Sequence, residues 1–130
     1  MKRDNSEYHL SCWFHLHLLS KDIKHNASMS GGVNLGPRIG AIKKRMGASA
    51  GYPDFDIPYK RGPYSGLRIE LKIKGGVVTD EQIAWRDHLL SEGYLALIMP
   101  CNLDYRQAQD YLELAVENYM GLSQLTKGEG

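Results

Sequence analysis

The sequence predicts an α/β domain in which helices flank a mixed β-sheet. In residues 67–74, apolar and charged side chains alternate strictly, which indicates a β-strand with one buried and one charged face. Residues 79–82 read Thr-Asp-Glu-Gln, a capping box that opens a helix ending near Gly93. The apolar run at residues 94–99 is typical of a strand buried on both faces. Together these segments form a βαβ unit, so the two strands are expected to be parallel.

An amphipathic helix is predicted before this unit, capped by Ser6 and running to about Leu19. Its core-facing stripe has helical spacing and consists of Leu10, Trp13, Phe14 and Leu18. Glu7 extends this stripe, so it either points inward over the fold or only complements the helix dipole. The histidines and Cys12 of the helix lack a second pair of ligands at zinc-site spacing, and we interpret them as surface or packed side chains.

Residues 21–51 are glycine-rich and basic. Within them, Pro37 is predicted to start a short helix that ends at Gly47. This helix carries a cationic cluster that either grips phosphates or is only a solvated face: Arg38, Lys43, Lys44 and Arg45. The stretch from Met29 to Gly36 is predicted to be a mobile loop.

The remaining segments complete the sheet and its helical cover. Residues 52–57 indicate a short strand, and the loop at residues 60–66 returns the chain as a hairpin into the strand at residues 67–74. A final helix starts at Asn102 or Asp104, with a packing stripe of Ala108, Tyr111, Leu112, Ala115, Val116 and Tyr119. Residues after Gly121 are expected to fray.

Composition limits the class of protein. A chain of 130 residues with 42% hydrophobic and 24% charged residues is typical of one globular domain with a single core. Because the formal net charge is only +1, attraction to nucleic acid has to come from local clusters of basic residues. The two distant cysteines, Cys12 and Cys101, suit a reducing cytoplasm. No apolar run approaches the roughly 20 residues that span a membrane, so no membrane partner is expected.

Three short motifs occur in order along the chain. They are the segment Gly-Tyr-Pro-Asp at residues 51–54, the segment Glu-Leu-Lys at residues 70–72, and the capping box followed by Trp85. This ordered set resembles the PD-(D/E)XK nucleases, and most closely the VRR-NUC family, over roughly residues 13–119. The resemblance implies a restriction-endonuclease-like mixed sheet flanked by helices. The chain is similar in size to the stand-alone members found in bacteriophages and bacteria.

The resemblance also implies a set of site residues. The metal-binding carboxylates of the family fall on Asp54 and Glu70, the main-chain carbonyl of Leu71 supplies a further oxygen, and the catalytic lysine is Lys72. Glu7 is the candidate for the acidic residue that often completes the site from the N-terminal helix.

Gln82 matches a glutamine that lies near the site in this family, although its place in the capping box explains it without any chemistry. Lys74, beyond the strand, joins the cationic helix as an expected DNA contact.

The chemistry of these residue types suits phosphodiester hydrolysis. Mg²⁺ prefers carboxylate and carbonyl oxygens, and a Mg²⁺ or Mn²⁺ ion beside a phosphate lowers the pKa of water and neutralises charge. A lysine beside the carboxylates orients that water or stabilises the added negative charge. We therefore expect a Mg²⁺- or Mn²⁺-dependent endonuclease acting on branched, flapped or nicked DNA, and by analogy a homodimer. Two alternatives stay open: a catalytically silent nucleic-acid-binding module on the same fold, and a small structural protein whose alternating strand merely meets water.

Overall fold

The computed structural model describes residues 6–28 and 36–124. Within these residues four helices and four strands follow one another along the chain. In order they are α1 (Glu7–Ser20), β1 (Asn26–Ala27), α2 (Pro37–Arg45), β2 (Phe55–Ile57), β3 (Leu67–Glu70), α3 (Asp80–Ser91), β4 (Leu95–Ile98) and α4 (Tyr105–Met120). None of these helices is long and apolar enough to cross a membrane.

The strands form one mixed sheet in the order β1-β2-β3-β4. β2 pairs antiparallel with β1 and with β3, and Phe55 lies opposite Ile69. β3 and β4 are parallel, with Ile69 opposite Leu97, and α3 connects them. The predicted hairpin and βαβ unit are therefore confirmed. The sequence does not predict β1, because its two residues lie in a segment that has the composition of an irregular basic loop.

Polar side chains cap α1, α3 and α4 as the sequence predicted. Ser6 Oγ accepts a hydrogen bond from the His9 amide at 3.1 Å at the start of α1. Thr79 and Asp104 open α3 and α4 with complete capping boxes. Gly93 follows α3 with a φ of +96°, a conformation that favours glycine at a helix end.

The core lies where α1 and α4 pack against the sheet. The buried stripe of α1 consists of Leu10, Phe14 and Leu18, and that of α4 of Ala108, Leu112, Val116 and Tyr119. The ring of Phe14 meets that of Phe55 edge-on, with centroids 4.8 Å apart. Together with inward side chains of the sheet, these residues form one buried hydrophobic cluster.

Two predictions about the strands are wrong. β3 ends at Glu70 instead of continuing to residue 74, and its charged residues are covered: Arg68 is 9% exposed, Glu70 6% and the following Lys72 5%. The ladder stops because the Leu71 amide donates to the Asp54 side chain. β4 is one of the two edge strands and Ala96 is its only buried residue, so its apolar run is not enclosed on both faces.

Two predicted features fall at the limits of the described residues. The predicted mobile loop lies outside them, except for Gly36, which caps α2. Of the tail that was expected to fray, residues 125–130 also lie outside. Ser123, before them, accepts a hydrogen bond from the Gly62 amide at 2.6 Å.

Candidate active site

The register of the hairpin brings the two predicted metal-binding carboxylates together. Asp54 immediately precedes β2, and Glu70 is the last residue of β3. Because Phe55 pairs with Ile69 in an antiparallel ladder, the next residues outward, Asp54 and Glu70, face each other across the two strands.

Asp54 is held by the backbone on both sides of the hairpin. Its Oδ2 accepts a hydrogen bond from the Leu71 amide at 2.8 Å, and its carbonyl accepts one from the Ser28 amide at 2.7 Å. Upstream, Gly51 has a φ of +86°, and a Cβ there would lie 2.6 Å from the Glu81 backbone. Glycine at this position therefore lets the segment at residues 51–54 pack against the first turn of α3.

Glu70 is a buried carboxyl with one satisfied oxygen. Its Oε2 accepts a hydrogen bond from Gln82 Nε2 at 3.0 Å, whereas its buried Oε1 has no hydrogen-bond partner among the described residues. Burial and, after it, the charge of Asp54 raise the pKa of Glu70 to about 9. Burial also raises the pKa of Asp54. Two carboxyls in one buried pair do not both ionise unless a cation lies between them, and without a cation they share a proton.

Lys72 lies beside this pair, as the sequence predicted. Its ammonium donates a hydrogen bond from Nζ to the Val77 carbonyl at 2.6 Å. The positive charge lowers the pKa values of Asp54 and Glu70, although less than burial raises the pKa of each. A lysine ammonium has three donors, so two remain for other partners.

Glu7 lies in the first turn of α1 and is partly buried. Burial, followed by the charge of Asp54, raises its pKa, and the charge of Lys72 lowers it. The carboxyl is therefore close enough to Asp54 and Lys72 to respond to the charge of each. Within residues 6–28 and 36–124, no three His, Cys, Asp or Glu side chains are grouped so that they could hold a metal ion by themselves.

Gln82 has both of the roles that the sequence allowed, of which the helix cap was expected to come first. Its Oε1 accepts from the Thr79 amide at 3.0 Å and completes the capping box of α3. Its Nε2 simultaneously donates to Glu70. The start of α3 is thereby tied directly to the carboxylate pair.

The predicted DNA-contacting residues lie at the surface. α2 buries no residue; Arg38, Lys44 and Arg45 are exposed on it, and Lys43 is half-buried. Lys74 is exposed in the turn after β3. Their positions leave all five side chains accessible to a large polyanion.

Arg68, for which the sequence indicated no role, organises the aromatic side chains next to the site. It forms an ion pair with Asp56 at 2.6 Å, donates from Nε to the Tyr52 hydroxyl at 3.2 Å, and lies over the Tyr94 ring at 4.3 Å. The hairpin register places Asp56 opposite Arg68, so a prediction of that register would have indicated the ion pair.

The mixed sheet, its flanking helices and the carboxylate pair across the hairpin define an α/β protein. A solved structure described as a VRR_NUC domain protein is similar to it, with a TM-score of 0.65 and 27% sequence identity. The similarity covers 91% of this chain and 90% of the other. The resemblance to the VRR-NUC family is thus confirmed by the fold. No protein-family model and no curated protein matches the chain.

Proposed function

We propose that this protein is a metal-dependent endonuclease that hydrolyses DNA phosphodiester bonds. The observation that carries the proposal is the buried pair of Asp54 and Glu70, in which Glu70 Oε1 has no hydrogen-bond partner among the described residues. Orphaned carboxylate oxygens in a buried pair are costly unless a proton or cation occupies the space between them. The similarity to a VRR_NUC domain protein supports the same conclusion.

The donor atoms fit a hard divalent cation. Asp54, Glu70 and the Leu71 carbonyl offer oxygen ligands, and Mg²⁺ usually combines one or two carboxylates with water and phosphate oxygens. Such a site needs no third side-chain ligand. Glu7 would act from the periphery, through a water molecule or through its charge.

A bound Mg²⁺ or Mn²⁺ supplies Lewis-acid chemistry, namely a more acidic water and neutralised phosphate charge. The residues of the chain hold and orient the reacting groups. Gln82 fixes the Glu70 carboxylate by its hydrogen bond. Lys72, anchored on Val77, can direct its two remaining N–H donors toward the attacking water or the phosphate oxygens.

The substrate in this proposal is branched, flapped or nicked DNA, and the active form is a homodimer that addresses two strands. The accessible basic side chains of α2 and Lys74 support a phosphate-binding surface. Their arrangement on an exposed helix suits backbone contacts that do not depend on base sequence.

A cleavage panel tests the proposal. Purified protein is incubated with duplex, flap, splayed and four-way DNA in Mg²⁺, Mn²⁺ or EDTA, beside the Glu70→Gln variant. We expect metal-dependent cuts by the wild type alone, strongest on branched substrates. Binding without cleavage in every metal would instead establish the silent nucleic-acid-binding module.

A further inference from the structure

An aromatic groove of about 470 Å³ opens between α2 and α3. Its walls are mainly apolar, with one basic side chain at the rim: Ser28, Lys43, Met46, residues 47–49, Tyr52 and Trp85. A volume in this range is ordinary for a site that takes a small planar group. Apart from Lys43, which belongs to the proposed phosphate-binding surface of α2, the proposed function uses none of these side chains.

The groove is connected to the carboxylate pair at three points. The Ser28 amide donates a hydrogen bond to the Asp54 carbonyl at 2.7 Å, and Tyr52 lies two residues before Asp54. Trp85 lies one helical turn after Gln82, whose side chain binds Glu70. The groove and the carboxylate pair are therefore built from the same segments, the chain before β2 and the first turns of α3.

One wall of the groove is held rigidly. The Tyr52 and Trp85 rings meet edge-on, with centroids 4.8 Å apart and an interplanar angle of 82°. The Tyr52 hydroxyl accepts from Arg68, which is itself fixed by Asp56. The other wall contains Met46, a flexible side chain that is 81% exposed.

The charged side chains around the groove indicate which kind of ligand it can bind. No acidic side chain lines it within the described part of the chain, and Lys43 at its rim belongs to the cationic cluster of α2. An apolar aromatic groove with a lysine at its rim matches a nucleotide, whose base has planar stacking faces and whose phosphate is an anion. A paired base in a duplex has both faces covered by stacking, so only an unpaired base can enter.

We propose that this groove takes an unpaired nucleobase next to the scissile phosphate, with the base stacking against Trp85 and Lys43 contacting the adjoining phosphate. This inference rests on the proposed nuclease function and deepens it. It gives a physical reason for a preference for junctions, flaps and frayed ends, because such substrates offer unpaired bases next to a cleavable bond.

Tryptophan fluorescence tests the inference without catalysis. The chain has two tryptophans, so a Trp13→Phe background leaves Trp85 as the single reporter. In EDTA, a short thymidine oligonucleotide should quench Trp85 emission, whereas a duplex of equal length should not. Trp85→Leu should weaken single-strand binding by roughly 5- to 150-fold, and Trp85→Phe should restore most of it. Met46→Ala, on the exposed wall, is a second variant that does not threaten folding.

Leu114→Ala is the matched control, since Leu114 is an exposed apolar residue of α4 outside the groove lining. Unchanged Trp85 emission on single-strand binding, or equal affinity in Trp85→Leu and the wild type, would overturn the inference. Trp85 emission that changes with protein concentration alone would assign the groove to a second copy of the chain, and would also overturn it. Quenching without metal-dependent cleavage would refute only the catalytic proposal, and cleavage without quenching only the base groove.

Discussion

Gln82 Nε2 donates a hydrogen bond to Glu70 Oε2 at 3.0 Å, while the Oε1 atom of the same glutamine completes the α3 cap. One residue thus couples the folding of a helix end to the orientation of a buried carboxylate. The cap alone contributes little to the free energy of unfolding. A reoriented Glu70 carboxylate, in contrast, changes the geometry of the pair that it forms with Asp54.

Replacement of Gln82 by Ala should therefore affect cleavage more than stability. Loss of the reciprocal cap bond is expected to cost about 0.5–1 kcal/mol in the free energy of unfolding. α4 offers a matched control, because Gln107 completes the same capping box with Asp104 and lies on a different helix. If Gln107→Ala lowers the cleavage rate as much as Gln82→Ala at equal stability, Gln82 serves only as a cap.

Glu70→Gln should abolish both cleavage and stabilisation by metal. The amide keeps the shape of the side chain but removes the charge that attracts the cation. In EDTA at neutral or higher pH, this variant should melt above the wild type, because it no longer has a buried carboxyl that resists ionisation. Thermal melts with and without Mg²⁺ and a nicking assay measure the three effects together.

Glu92→Gln is the control for this variant, since it changes the same charge at an exposed position just after α3. It should leave the metal-induced shift and the cleavage rate unchanged. A Glu70→Gln protein that cuts DNA at a near wild-type rate in Mg²⁺ would remove the carboxylate pair from the mechanism.

Much of the fold could be predicted because its signals are local. The helix caps at Ser6 and Thr79, the glycine after α3 and the alternation in β3 depend on residues close in sequence. β1 could not be predicted, because a two-residue strand exists only through its pairing with Asp56 and Phe55, far along the chain.

The residues of the candidate site could be predicted from the sequence, but the side chains that surround them could not. A period of two places Arg68, Glu70 and Lys72 on one side of a strand, yet it does not say what covers that side. Residues from distant segments cover it. Tyr52 and Tyr94 contact Arg68, and Gln82 contacts Glu70. A substitution on this side of the strand therefore disturbs buried contacts as well as charge.

Lys72→Ala should separate metal binding from catalysis. It removes no metal ligand, so stabilisation by Mg²⁺ should persist, while the loss of a cationic donor at the phosphate should slow cleavage by about 10²- to 10³-fold. Because Lys72 is buried and donates to Val77, the variant should also lose about 1.5–3 kcal/mol of stability. Lys60→Ala, at an exposed loop position, controls for the missing charge. Loss of the metal-induced shift in Lys72→Ala would contradict the separation.

The basic side chains of α2 should bind DNA by contacting its phosphates. Replacing Lys43, Lys44 and Arg45 by Ala should weaken DNA binding and lower the slope of log K against log salt by up to about 0.9 for each phosphate that is no longer neutralised. Since α2 buries no residue, the melting temperature should hardly change. Lys60→Ala again serves as the control, and an unchanged slope with unchanged affinity would make this helix only a solvated face.

The pH dependence of stability follows from the raised pKa of Glu70. In the unfolded chain this carboxyl ionises near its ordinary pKa of 4.5, whereas in the fold its pKa is about 9. The folded state thus binds more protons between these values, and the resulting stabilisation is complete below about pH 4.5 and disappears as the pH rises through about 9.

In EDTA, the free energy of unfolding should therefore fall from about pH 5 to about pH 9, by less than about 1.4 kcal/mol per pH unit, and the melting temperature should fall with it. A divalent cation competes with the shared proton, so the shift in melting temperature caused by Mg²⁺ should grow over the same range. Glu70→Gln should flatten both trends, because it removes the titrating group. The opposite outcome is a wild type whose stability in EDTA rises steadily across this range and whose response to Mg²⁺ does not depend on pH. That result would show that Asp54 and Glu70 are not the buried, proton-sharing pair on which the catalytic proposal rests.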